Sequence, residues 1–212
     1  MKNLILFDID DTLINTKLLK KLQMETLANT LGVSSQEIEN FRLIYLNNLK
    51  RTSDFSTNDY LQQLANYYNF SFLDLKRTFW HPINFQKCLF PESVEILSKL
   101  EKEKYQLGIY SEGFTDFQKH KLKVNNLLKF FAPQHTHILR RKMDPKVLES
   151  LPKGTIIIDD KPSVINYLKK LSNIIPIHII RDNKYQSNKN NENVISGFTE
   201  LIPLLDQLSK PL

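Results

Sequence analysis

The chain has 212 residues, 41% hydrophobic and 25% charged, which excludes a disordered chain and leaves room for one good core with a subdomain. Its one cysteine, Cys88, excludes a disulfide framework and a C-x-x-C zinc pattern and fits a reducing, cytoplasmic setting, while the apolar start breaks at Asp8, too early for a signal-peptide core or a membrane span. The net charge of +6 comes from lysines spread along the chain; the densest basic run, Leu139-Arg140-Arg141-Lys142, is short, which argues against nucleic acid and suits a small phosphorylated partner.

Asn3-Leu4-Ile5-Leu6-Phe7 reads as a strand buried on both faces of a parallel sheet. It runs straight into three carboxylates, Asp8, Asp10 and Asp11. Asp8 and Asp10 are two apart, which on an extended chain points them the same way. Carboxylates at the end of a buried strand need a partner, and ligands of open α/β sheets bind at this edge. The competing reading is a turn in which Asp10, Asp11 and Thr12 cap a helix.

No strand pattern follows until about Gln106, an interval too long for one crossover, so a segment is inserted. Its pattern is helical throughout. Leu18, Leu19, Leu22, Leu27 and Leu31 suit a first helix stopped at Gly32. The capping box Ser34-Ser35-Gln36-Glu37 opens a second, with Ile38, Phe41, Tyr45 and Leu49. Thr57 or Asn58 caps a third, carrying Tyr60, Leu61, Leu64, Tyr67 and Tyr68. Ser71 with Asp74 opens a fourth, and Trp80-His81-Pro82 breaks the pattern. The result is a four-helix subdomain over residues 15–88, with its aromatic stripe read as core.

Pro91 starts a helix with Val94, Leu97 and Leu100, and Tyr105 to Tyr110 is a strand ending in Ser111-Glu112-Gly113. A helix runs to about Asn125, and an irregular stretch from Phe130-Phe131 leads to a short strand, His135 to Leu139. Pro145 opens a helix to Leu151. Thr155-Ile156-Ile157-Ile158 is a buried strand that again meets acids, Asp159 and Asp160. Pro162 starts a helix with Val164, Leu168 and Leu171; Ile174 to Ile180 is a strand; Asp182 to Asn193 is a polar surface loop; and a last helix carries Phe198, Leu201, Leu205 and Leu208. Strands alternating with helices predict an α/β, doubly wound parallel sheet.

Four polar stations fall at strand ends or the loop starts beside them: Asp8/Asp10, Ser111, Lys142 and Asp159/Asp160. Together they suffice for phosphoryl transfer. A carboxylate serves as nucleophile, a second as general acid and base, carboxylates bind Mg²⁺, and a hydroxyl and an ammonium hold phosphoryl oxygens. Each station also has a structural reading: Ser111 and Asp159 as helix caps, Lys142 as one exposed lysine among many, with Arg140 or Arg141 competing for its role. His135 and His137 alternate on a short strand with no third zinc ligand and read as structural.

Phe-Asp-Ile-Asp-Asp-Thr-Leu, residues 7–13, resembles the first motif of the haloacid dehalogenase-like (HAD) hydrolases, hydrophobic-Asp-x-Asp-x-Thr. The resemblance implies a Rossmann-like core, residues 1–14 and 89–212, with a helical C1-type cap at 15–88. It implies Asp8 as nucleophile and Asp10 as general acid and base that also gives the metal its backbone carbonyl. It further implies Ser111, with Glu112 beside it, as phosphate-binding, Lys142 as stabiliser of the phosphoryl group, and Asp160 with Asp159 completing the Mg²⁺ site. Many relatives space the last acids as Asp-x-x-x-Asp, whereas Ser163 and Val164 carry no charge here. The expected activity is Mg²⁺-dependent hydrolysis of a small phosphate monoester (sugar phosphate, nucleoside monophosphate or phosphoglycolate type) through an aspartyl-phosphate on Asp8. The alternatives are a haloacid dehalogenase-type hydrolase, against which Asp10 and the final acid pair argue, and a non-catalytic phosphate-binding protein of the same fold.

Overall fold

In the computed structural model the described residues are 3–181 and 193–209. The elements in chain order are β1 (Leu4–Phe7), α1 (Thr16–Leu31), α2 (Ser35–Asn47), α3 (Thr57–Tyr67), α4 (Phe72–Phe79), α5 (Pro82–Gln86), α6 (Ser93–Lys102), β2 (Gln106–Glu112), α7 (Thr115–Val124), β3 (Thr136–Leu139), α8 (Pro145–Ser150), β4 (Thr155–Asp159), α9 (Pro162–Leu168), β5 (Ile174–Ile179), β6 (Val194–Ile195) and α10 (Leu201–Leu208). The strands form one sheet in the order β3-β2-β1-β4-β5-β6, every pair parallel.

The central strand shows why the sheet is covered twice. Successive side chains alternate faces. Leu4 and Leu6 pack with Leu148 of α8 and Val164 and Leu168 of α9. Ile5 and Phe7 pack on the other face with Ile96, Leu97 and Leu100 of α6, Leu122 of α7 and Leu201 and Leu205 of α10. Each such fully buried aliphatic or aromatic side chain contributes about 1.5–3 kcal/mol. Strand register puts Phe7 beside Ile109 and Ile158, so the chain segments that follow β1, β2 and β4 all emerge at one edge.

Helices α1 to α5 fill the interval between β1 and β2; α1 to α4 have a core of their own, with Met24, Leu27, Ile38, Tyr45, Tyr60, Leu64, Leu75 and Phe79 at its centre, while Phe85 of α5 packs into the sheet's core. The capping box at Ser34 and Glu37 forms as expected, with reciprocal side chain and backbone bonds. Ser71 caps α4. Gly32 adopts φ 69°, the left-handed turn that ends α1. Most of the aromatic stripe is core, but Tyr67 is 71% exposed, on the outer side of α3.

Several expected details differ. Ser56, not Thr57 or Asn58, caps α3, its hydroxyl accepting from Asp59 N. α6 begins at Ser93, two residues after Pro91, and Val94 is exposed while Ile96 is buried. His135 lies in a 3₁₀ turn, Pro133–His135, so only His137 is on β3. The pattern-breaking Pro82 opens the short helix α5 at N1, with His81 as cap. The irregular stretch holds a 3₁₀ turn at Leu128–Phe130, and another, Phe198–Glu200, precedes α10. β6 carries no apolar run to announce it. The loop expected at Asp182 to Asn193 lies outside the described residues except for Asn193. Among the described residues no helix is long and apolar enough to cross a membrane.

Candidate active site

The site grows from the loop after β1. Ile9, Leu13 and Ile14 are completely buried and anchor it, and the amides of Leu13 and Ile14 both donate to Ile9 O. Asp11 takes the left-handed conformation, φ 52°, and its carboxylate accepts from Thr16 N at 2.9 Å. The capping reading of this acid run therefore holds for Asp11 alone; Asn15 is the formal cap of α1. Asp8 N donates to Ile158 O at 2.9 Å, fixing Asp8 against the end of β4. Arg181 closes the loop from behind, donating to Thr12 O at 2.7 Å while pairing with Glu92 and lying over the Phe90 and Phe198 rings at 3.9 and 4.6 Å.

Three of the four expected stations converge on one buried charge cluster. Lys142 is 5% exposed and its Nζ lies 2.9 Å from Asp8 Oδ1 while also bonding Asp159 Oδ2. Burial works against its charge, but Asp8 and Asp159 outweigh that and hold it firmly protonated. Arg140 and Arg141 do not compete; both reach instead to Asp54. Tyr110 supports the lysine from below, its hydroxyl accepting from Met143 N. The other Asp159 oxygen accepts from Lys161 N, and Asp159 caps no helix.

The fourth station, Ser111, is the penultimate residue of β2, completely buried, and its Oγ has no hydrogen-bond partner among the described residues. It does not cap α7, where Phe114 holds the cap position. Thr12 Oγ1, Asp8 Oδ2 and Asp160 Oδ1 are likewise buried and unpartnered. Buried polar atoms without partners are rare and expensive. Four of them stand at or just beyond the carboxyl ends of β1, β2 and β4, where a polar ligand could satisfy them. Glu112 enters through its backbone, its carbonyl accepting from Gln118.

Asp8, Asp159 and Asp160 each offer a carboxylate oxygen, and these oxygens lie within 4.8 Å of one another. Burial first, and then Asp8, Asp159 and Asp11, push the Asp160 carboxyl well above the ordinary carboxylate range. A hard divalent cation with oxygen ligands is the group this donor set fits. Since both Asp159 oxygens are engaged, the open oxygens belong to Asp8 and Asp160.

Asp10 faces the other way, to α7 and α1. Lys121 Nζ, Gln118 Nε2 at 2.7 Å and Thr16 Oγ1 at 2.8 Å all donate to its carboxylate. Burial raises its proton affinity, but these donors, Lys121 above all, hold the carboxyl far below the usual range. Gln118 and Lys121 were not anticipated from sequence. They stand three apart on α7 beside Phe117 and Leu122, and only the fold shows that both are buried.

A buried acid cluster with a lysine thus stands at the carboxyl edge of a doubly wound parallel sheet that carries a helical insertion between its first two strands. The family model of haloacid dehalogenase-like hydrolases matches residues 5–160, and the chain belongs to that family. A sequence comparison with curated proteins finds no match. Among solved structures, a HAD phosphatase of Thermococcus onnurineus is 21% identical with TM-score 0.62, over 97% of this chain and 98% of its own. A HAD-hydrolase of Bacillus subtilis bound to magnesium is 18% identical with TM-score 0.64, over 96% and 98%. A 2-haloacid dehalogenase of Pseudomonas syringae pv. Tomato is 19% identical with TM-score 0.65, over 99% and 100%. These likenesses bear on the fold.

Proposed function

We propose that this hydrolase is an Mg²⁺-dependent phosphatase of small phosphate monoesters. The observation that carries the reading is the crowding of Asp8, Asp159 and Asp160, with Asp8 Oδ2 and Asp160 Oδ1 buried and unpartnered. A dehalogenase shares a nucleophilic aspartate but gives that crowd nothing to do; a phosphatase uses it to hold a cation. Asp8 and Asp160 would hold Mg²⁺, with Asp159 behind them, and the ion would offset phosphoryl charge and orient the ester. In support, the Bacillus subtilis relative is magnesium-bound and the Thermococcus relative is a phosphatase.

In this reading a carboxylate oxygen of Asp8 attacks phosphorus, the ester P–O bond breaks, and the phosphoryl group passes to Asp8. Lys142 and Ser111 Oγ hold its free oxygens. For the proton transfers Asp10 would first exchange one of its donors, Lys121, Gln118 or Thr16, for a proton; it then gives that proton to the departing alkoxide and takes one from the water that attacks the aspartyl-phosphate and releases phosphate. Lys121, Gln118 and Thr16 favour the ionised form of Asp10, the form that takes the proton from water. Residues 1–14 and 89–212 form the core of this reading, and 15–88 the cap that closes over the site and excludes water.

Hydrolysis of p-nitrophenyl phosphate tests it, with Mg²⁺ and with EDTA, for wild type and Asp8→Asn. Turnover is expected only with Mg²⁺ and Asp8, and chloride release from 2-chloropropionate is expected from neither protein. Metal-independent turnover that survives Asp8→Asn overturns the mechanism.

A further inference from the structure

Of the three crowded acids, Asp160 is the one whose own side chain is held least. Its Oδ1 is buried with no hydrogen-bond partner among the described residues, whereas Asp8 pairs with Lys142, and Asp159 bonds both Lys142 and Lys161 N. A carboxylate without side-chain partners is aimed by its backbone. Asp160 stands one residue past the end of β4, in the two-residue turn before α9.

The peptide that joins Asp160 to Lys161 is pinned at both of its polar ends. Its N–H, on Lys161, donates to Asp159 Oδ1 at 2.8 Å. Its carbonyl, on Asp160, lies 3.0 Å from His178 Nε2. A carbonyl only accepts, so the ring presents Nε2–H and the hydrogen bond runs from His178 to Asp160. Lys161 then passes directly into α9, its carbonyl accepting from Val164 N and Ile165 N. Rotating that peptide would swing the Asp160 side chain, and it would break both bonds.

His178 comes from outside this turn, on β5. It is the one polar side chain in the run Ile174–Ile179. Strand register sets it beside Asp159, and its own N–H donates to Asn193 O at 3.0 Å on the far side. Ile177 and Ile179, both completely buried, anchor the strand around it, while its ring is half-buried. Among the described residues it is the one side chain that bonds Asp160.

We propose that His178 is a positioning residue for the metal site: by holding the Asp160 carbonyl it aims the Asp160 carboxylate at a divalent cation shared with Asp8. The proposal rests on the reading of the acid cluster as an Mg²⁺ site. Partners behind metal ligands govern affinity because they fix a ligand's orientation before the ion arrives.

Calorimetric titration of the metal-free protein with Mg²⁺, without substrate, tests it on wild type, His178→Leu and His178→Gln. The first substitution removes the donor; the second offers a side-chain amide N–H in its place. His178→Leu should bind Mg²⁺ about tenfold or more weakly, the usual loss when such a partner is removed. His178→Gln should stay within a few-fold of wild type. Should His178→Leu not fold, His178→Phe, which keeps a ring and lacks the donor, takes its place. A purely structural role would lower the melting temperature of the metal-free variant and leave its Mg²⁺ affinity unchanged. That result, or a loss in His178→Gln as large as in His178→Leu, overturns the proposal. The two readings fail separately. No Mg²⁺ binding by wild type removes the metal site and the part of His178 with it; binding that His178→Leu leaves intact removes the part of His178 alone.

Discussion

Asp10 is the residue whose surroundings say most about its task. Three donors fix it, and Lys121, buried and packed 4.5 Å from the Phe117 ring centroid, supplies the only charge among them. Lys121→Met keeps the packing volume and removes that charge. For an alkyl phosphate, whose leaving oxygen needs a proton, kcat should fall by about 10- to 100-fold while KM changes little. For p-nitrophenyl phosphate, which departs without help, the loss should be much smaller. Steady-state kinetics with both esters checks this; an equal loss on both would make Lys121 scaffold rather than positioning residue. The metal donors have a readout free of turnover. Mg²⁺ should raise the melting temperature of wild type and not that of Asp160→Asn, because a ligand stabilises only a protein that binds it. Asp8 and Asp159 could be picked out of the sequence because each ends an apolar run, where an acid is conspicuous. Lys121 could not, because one lysine among many on a polar helix is distinguished only by what the fold sets opposite it, and Asp10 is 111 positions away in the chain.

At the scale of elements, legibility followed length and apolarity. β1, β2, β4 and β5 are buried runs and were plain; β6 is two residues long and borrows its identity from β5. α5, five residues behind Trp80-His81-Pro82, is shorter than any helical period can reveal. Glycine 108 shows a constraint that belongs to packing alone. A Cβ at Gly108 would lie 2.2 Å from His135 O and 2.7 Å from His135 Cβ, because the 3₁₀ turn before β3 crosses β2 there. The neighbour is backbone and cannot step aside cheaply. Gly108→Ala should therefore cost about 2–3 kcal/mol, the overpacking range, measured by urea denaturation. A cost near zero would show that the turn moves freely, and β3 with it.

At the scale of the molecule, the helical insertion and the sheet's helices meet in two places. On one side Phe117 of α7 packs into both the sheet core and the cap core, with Trp80, the chain's one tryptophan, at 5.5 Å and Phe85 at 6.0 Å. On the other side, Asp54 of the cap meets Arg140 at 3.1 Å and Arg141 at 2.7 Å, Arg141 also reaches Ser53, and Arg140 lies 3.6 Å over Phe114. The first contact is apolar, with Phe85 buried and Phe117 and Trp80 half-buried, as suits a pivot; the second is polar and largely exposed, as suits a releasable latch. Both arginines adjoin Lys142, so the position of the helical insertion and the lysine that pairs with Asp8 and Asp159 are tied through three consecutive residues. Asp54→Asn should loosen closure without unfolding anything: KM for a small ester should rise several-fold at low salt, in keeping with the loss of a few exposed charge contacts. The melting temperature should hold, and wild type in high salt should behave like the variant, because screening removes the same attraction. Trp80 emission supplies the independent record. If it shifts on ligand binding in wild type and shifts less in Asp54→Asn, the latch acts through closure. If the KM of the variant is unchanged and indifferent to salt, the Asp54 contacts are surface pairs with no share in the catalytic cycle, and closure depends on the substrate and the apolar pivot alone.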